Sequence, residues 1–158
     1  MNKTHFALIG CGRISFKHIE AAVKNNDRLS LVAVCDPILQ RAEEKKAEYL
    51  KTFPEARVAV YTDYRELLEK EKPDVCAIAT ESGYHSTIAI DCLEGGAHVI
   101  CEKPMALSTR DADAMIAASH QTGKKLAVCF QNRFNAPVQK ARKALEAGRF
   151  GRMLHGSI

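Results

Sequence analysis

An α/β architecture, a doubly wound parallel sheet of the Rossmann type, is what this sequence predicts, and three observations carry the prediction. Short apolar, β-branched runs alternate with longer amphipathic ones along the 158 residues. The first run ends in two closely spaced glycines, Gly10 and Gly12, directly ahead of a helical pattern. The second ends in an acid, Asp36, at the carboxyl end of a strand, where open parallel sheets collect ligands. With 46% hydrophobic and 27% charged residues, the composition is that of one packed core rather than a disordered chain.

Taken in order, the run FALIG sets a first strand at Phe6–Gly10, and the pattern after it a helix at Ile14–Lys24. LSLVAVC gives the second strand, Leu29–Cys35, followed by a helix at Leu39–Lys51. RVAVY gives the third, Arg57–Tyr61; Asp63 with Glu66 three residues on then forms a capping-box pattern opening a helix at Tyr64–Lys70. Val75–Ala79 and His98–Cys101 are the fourth and fifth strands, separated by a helix at His85–Glu94 that Gly95 ends. A helix at Thr109–Thr122, closed by Gly123, leads to the sixth strand, Leu126–Phe130. The last helix is expected at Pro137–Ala147, before Gly148.

The glycine pair has a physical reading. Gly10 lets the chain turn sharply, and Gly12 lets the backbone approach a pyrophosphate at a helix start, where unpaired N–H groups and the dipole favour negative charge. Arg13 and Ile14 complete the turn and belong to the expected cofactor-binding set. Ser15 fills the third fingerprint position, which needs a small side chain for helix–strand packing and usually holds Gly or Ala. Asp36, 24 residues beyond Gly12, is placed to accept hydrogen bonds from the adenosine ribose hydroxyls and to repel a 2′-phosphate. Pro37 and Ile38 follow in place of a basic pair, which favours NAD over NADP. A tight structural turn is the alternative for the glycines, and a helix N-cap for Asp36.

Two later strand ends carry candidate chemistry. ATESGYHS places Thr80, Ser82 and His85 after the fourth strand, and CEKPM places Glu102, Lys103 and Pro104 after the fifth. A lysine there can hydrogen-bond a substrate hydroxyl and stabilise negative charge developing on its oxygen. A solvated loop lysine and a packing histidine are the plain alternatives for Lys103 and His85.

The stretches ALIGCGRIS, VAVCDP, YTDYRELLE, DVCAIATESGYH, GAHVICEKPMAL and QNRFNAPVQKARKALEAGRFG resemble the amino-terminal half of the Gfo/Idh/MocA oxidoreductase family. The resemblance implies that Lys103 lines the junction of nicotinamide and substrate as the catalytic residue, and that the Lys103–Pro104 bond is cis. It places Thr80, Ser82, His85 and Glu102 along the cofactor and Arg133 at the nicotinamide end. Position 81, usually proline in the family, is Glu. The last quoted stretch is similar to members acting on nucleotide-linked sugars, in particular UDP-N-acetylglucosaminuronate 3-dehydrogenases. The implied reaction moves a hydride from a sugar carbinol carbon to NAD. The family also implies a further α+β domain that binds the sugar and brings a histidine base. Residues 1–123 are then expected to be the NAD-binding core, and 124–158 the last core strand, a crossover helix and, in RMLHGSI, the first strand of that domain. The chain by itself is expected to bind NAD without turnover, and the exposed strand edge to favour a homo-oligomer.

Other classes fit less well. No segment reads as a signal peptide or membrane span, so a cytoplasmic protein is expected. The six cysteines include no C-x-x-C pair and read as buried reduced thiols, with no metal site expected. Residues 124–158 carry eight Lys or Arg against Glu146 alone, but with Phe130, Phe134 and Phe150 as their only aromatics and no reader motif they do not suggest nucleic-acid binding. A methyltransferase usually has an acid where Ile9 stands. A non-catalytic NAD-sensing module remains the alternative to a dehydrogenase.

Overall fold

The apolar run near the amino terminus becomes β1 (Thr4–Ile9), a central strand of a six-stranded sheet in the computed structural model, which describes residues 3–155. The others are β2 (Leu29–Cys35), β3 (Ala59–Tyr61), β4 (Val75–Ile78), β5 (His98–Cys101) and β6 (Leu126–Val128). The order is β3-β2-β1-β4-β5-β6 and every pairing is parallel, so the direction of winding reverses between β1 and β4. That reversal opens the crevice in which doubly wound sheets hold ligands.

Both faces are covered. Phe6 and Leu8 of β1 pack towards α1 (Ser15–Lys24) and α2 (Leu39–Leu50). Ala7 and Ile9 pack towards α3 (Tyr64–Glu71), α4 (His85–Glu94) and α5 (Thr109–Thr122). A strand buried on both faces has to be continuously apolar, which is how β1 reads. A register shift against β2 between Phe6 and Ala7 leaves Val32 as an extra residue, so Leu31 and Val34 share one face and Ala33 and Cys35 the other.

The helix starts agree with the sequence in part. Asp63 caps α3 by accepting the Arg65 N–H at 2.8 Å, but Glu66 pairs with Lys70 at 2.5 Å instead of reaching back. Ser108 caps α5 through the Asp111 N–H. Four strands are shorter than expected at an end, β4 by Ala79 alone. β1 stops before Gly10, whose φ is +93°; β3 keeps only the three residues that meet Ala33–Cys35 of β2; and beyond β6 the Phe130 N–H folds back onto the Val128 carbonyl. A 3₁₀ turn, Gln131–Phe134, precedes α6 (Ala136–Glu146), which packs chiefly against it and buries no residue. Arg152–His155 are irregular, and the rest of the expected strand RMLHGSI lies outside the described residues. Among the described residues no helix is long and apolar enough to cross a membrane.

Candidate functional site

The turn after β1 is shaped by two different constraints on its glycines. A Cβ on Gly10 would lie 2.6 Å from the Ala79 carbonyl carbon and from the Thr80 nitrogen, so the turn is pressed against the end of β4. A Cβ on Gly12 would meet nothing within 4 Å. Open space therefore faces the backbone where α1 begins. Ser15 is buried and its hydroxyl donates to the Gly12 carbonyl at 2.5 Å, closing the turn onto the helix. α1 has no side-chain cap and no acid in its first turn. Among the described residues the N–H groups of Gly12, Arg13 and Ile14 have no protein acceptor. Such a helix start favours an anion.

Asp36 is buried and holds two loops together. One carboxylate oxygen accepts the Cys11 N–H at 2.8 Å, inside the glycine turn, and the other accepts the Ile38 N–H at 2.9 Å, ahead of α2. The acid thus supports the glycine turn and, each oxygen having two lone pairs, keeps acceptor capacity for a ligand. Burial, then the charges of Asp36 and Cys35, push the Cys11 thiol up to about 12, so it stays protonated.

Along the other half of the edge, a 3₁₀ turn at Ser82–Tyr84 follows β4. Glu81 adopts φ −65° and ψ 143°, a backbone conformation that proline also takes. His85 is buried at the start of α4. Its Nδ1 lies 2.8 Å from the Pro104 carbonyl oxygen and its Nε2 3.2 Å from that of Thr80. Both partners are acceptors, and a neutral ring donates to one of them. The Lys103–Pro104 bond is cis. Glu102 is also buried: Oε1 lies 3.1 Å from His18 Nε2, and Oε2 accepts the Lys103 N–H at 3.3 Å. Ligand-type atoms of His18, Glu102 and Cys129 fall within 4.8 Å of one another. Burial and then Glu102 push the Cys129 thiol up to about 11. Lys103 is exposed, and among the described residues its ammonium has no carboxylate partner. Arg133, in the 3₁₀ turn beyond β6, stands over the Phe130 ring, 5.7 Å from its centroid.

All the expected residues therefore lie at the carboxyl edge of the sheet, and direct contacts join Gly10 to Thr80, the glycine turn to Asp36, and Thr80 through His85 to Pro104. Thr80, Ser82, Lys103 and Arg133 keep accessible surface, whereas His85 and Glu102 turn inwards. His18 and Cys129 were not anticipated. The signal available was a histidine within the buried stripe Ser15, His18, Ile19 and Ala22 of α1, where an imidazole needs a partner.

The model of an oxidoreductase family, the NAD-binding Rossmann fold of Gfo/Idh/MocA, matches residues 4–130. The D-glucoside 3-dehydrogenase of Escherichia coli K12 is 34% identical over 146 residues, 92% of this chain and 40% of its own. An alpha-N-acetylgalactosaminidase of Shewanella oneidensis is 28% identical over 160 residues, 99% of this chain and 34% of its own. The crystal structure of the WlbA dehydrogenase from Bordetella pertussis, in complex with NADH and UDP-GlcNAcA, is similar with a TM-score of 0.87 and 38% identity, covering 96% of this chain and 44% of that one. The chain thus spans less than half the length of these relatives.

Proposed function

Because the chain belongs to the Gfo/Idh/MocA oxidoreductase family, and its matched part is that family's NAD-binding Rossmann fold, we propose that it forms the cofactor-holding half of an NAD-dependent sugar dehydrogenase. A nucleotide-linked sugar acid is the proposed substrate. The observation that carries this reading is the meeting, at one sheet edge, of an open glycine turn, a buried acid bonded to that turn and an exposed lysine. The 38% identity to a dehydrogenase described with NADH and UDP-GlcNAcA supports the substrate class.

The residues fit the cofactor. The free N–H groups of Gly12, Arg13 and Ile14 receive the pyrophosphate in the space that a side chain at position 12 would fill. Asp36 accepts from the adenosine ribose and disfavours a 2′-phosphate, and Thr80, Ser82 and Arg133 line the rest. Bound NAD supplies the carbon that takes the hydride. Lys103 donates a hydrogen bond to the sugar hydroxyl, orients it and stabilises negative charge on its oxygen as the proton leaves. No described residue is assigned as the base. Assembly into a homo-oligomer and residence in the cytoplasm belong to the same proposal, supported by the exposed Phe134, Val138 and Leu145 and by six free thiols.

Calorimetric titration of the chain with NADH and NADPH tests the cofactor reading. Tighter binding of NADH is expected, and equal or tighter binding of NADPH would overturn it. Similarity to a glycosidase as well as to dehydrogenases makes net NADH formation from UDP-N-acetylglucosaminuronate, measured in the whole protein that carries this chain, the test of reaction type.

A further inference from the structure

We infer that His18 and His85 are positioning residues for Lys103: two buried imidazoles, on different helices, hold the residues immediately before and after it. The inference rests on the reading of Lys103 as the group that meets the substrate. Ahead of the lysine, His18 of α1 reaches Glu102 Oε1 at 3.1 Å, and the other oxygen of that carboxylate accepts the Lys103 N–H at 3.3 Å. Behind it, His85 at the start of α4 reaches the Pro104 carbonyl at 2.8 Å and the Thr80 carbonyl at 3.2 Å. The lysine side chain is thus solvent-facing while both neighbours are tied down.

The arrangement ties together, through side chains, three loops of the edge whose strands, β1, β4 and β5, are already neighbours in the sheet. α1 begins at the phosphate turn, so His18 links that turn's helix to the lysine loop; His85 links the loop after β4 to the same place. Both imidazoles occupy helix stripes otherwise filled by Ile19 and Ala22, or by Ile88, Ala89 and Cys92, where an apolar side chain would pack without a desolvation penalty. What a polar ring adds there is a directional bond. A flexible lysine that must meet a developing oxyanion loses effectiveness when its base drifts by an ångström, so fixing both flanks is how the fold aims it.

The test compares His18→Leu with His18→Gln, and His85→Leu with His85→Asn, the amides returning a donor near Nε2 of residue 18 or Nδ1 of residue 85. Amide hydrogen exchange in this chain is expected to rise about tenfold or more at residues 102–106 in the leucine variants, with β1 and β2 unchanged, and to return towards wild type in the amides. In the whole protein that carries the chain, the leucine variants should lose about tenfold or more in kcat with KM for NAD within about twofold, and the amides should recover most of it. Exchange that rises equally in all strands, amides no better than leucines, or an unchanged kcat would overturn the inference. Failure of the wild-type chain to bind NADH would instead remove the proposed function, and the exchange comparison would still decide whether the histidines hold the loop.

Discussion

A methyl group added at position 10 and one added at position 12 should have opposite consequences. At Gly10 it would collide with backbone at 2.6 Å and demand φ +93° of an L-residue, so Gly10→Ala should destabilise the fold by about 2–5 kcal/mol. At Gly12 it meets nothing, so Gly12→Ala should keep stability within about 0.5 kcal/mol while NADH affinity falls about tenfold or more, because the methyl takes the pyrophosphate's place. Urea denaturation and calorimetry separate the two, and normal NADH binding by Gly12→Ala would refute the placement of the phosphates. Asp36→Ala should do both kinds of damage. It leaves the buried Cys11 N–H without an acceptor, at a cost of about 1–3 kcal/mol, and it should narrow the preference for NADH over NADPH. Unaltered discrimination between the cofactors would end the ribose assignment.

At the scale of elements, the loop after β4 offers a test that stabilises rather than breaks. Glu81 already has a proline-like φ of −65°, and its N–H has no acceptor among the described residues, so Glu81→Pro should raise stability by about 0.4–1 kcal/mol through the unfolded chain and leave NADH affinity within about twofold. Loss of stability would mean that the loop relies on a freedom that proline removes. Much of this edge was legible in the sequence, because the glycine turn, Asp36 and the residues after β4 and β5 are local patterns tied to strand ends. The 3₁₀ turn around Arg133 was not, since nothing periodic marks it. Nor was the inward turn of Glu102: its partner His18 lies 84 residues away in sequence, and only the parallel order of β1, β4 and β5 brings them together.

For the molecule as a whole, the buried thiols make stability depend on alkaline pH. Burial holds Cys35 and Cys101 up to about 12 as it does Cys11, and Cys92 is raised by its hydrogen bond to Cys76 and by burial. An unfolded thiol titrates near about 8.5, so the stabilisation is complete below that pH and is lost as pH climbs towards 12 while only the unfolded chain gives up protons. The urea midpoint should be flat from about pH 7 to 8 and fall by pH 10; a constant midpoint would show that the thiols ionise alike in both states. A second expectation is that these 158 residues bind NADH yet form none from the sugar nucleotide, and NADH formation above a no-enzyme control would place the base within them. The common direction of the six strands has a practical consequence besides. The candidate residues gather at one rim, and among the described residues the opposite rim holds the start of β1 and helix-to-strand returns such as those around Asp27 and Lys72, both exposed. A cysteine placed by Asp27→Cys would face native thiols that are mostly buried and protonated, so it would be labelled selectively. Tethered there to a sensor surface, the molecule would present its ligand-facing rim outward in a single orientation.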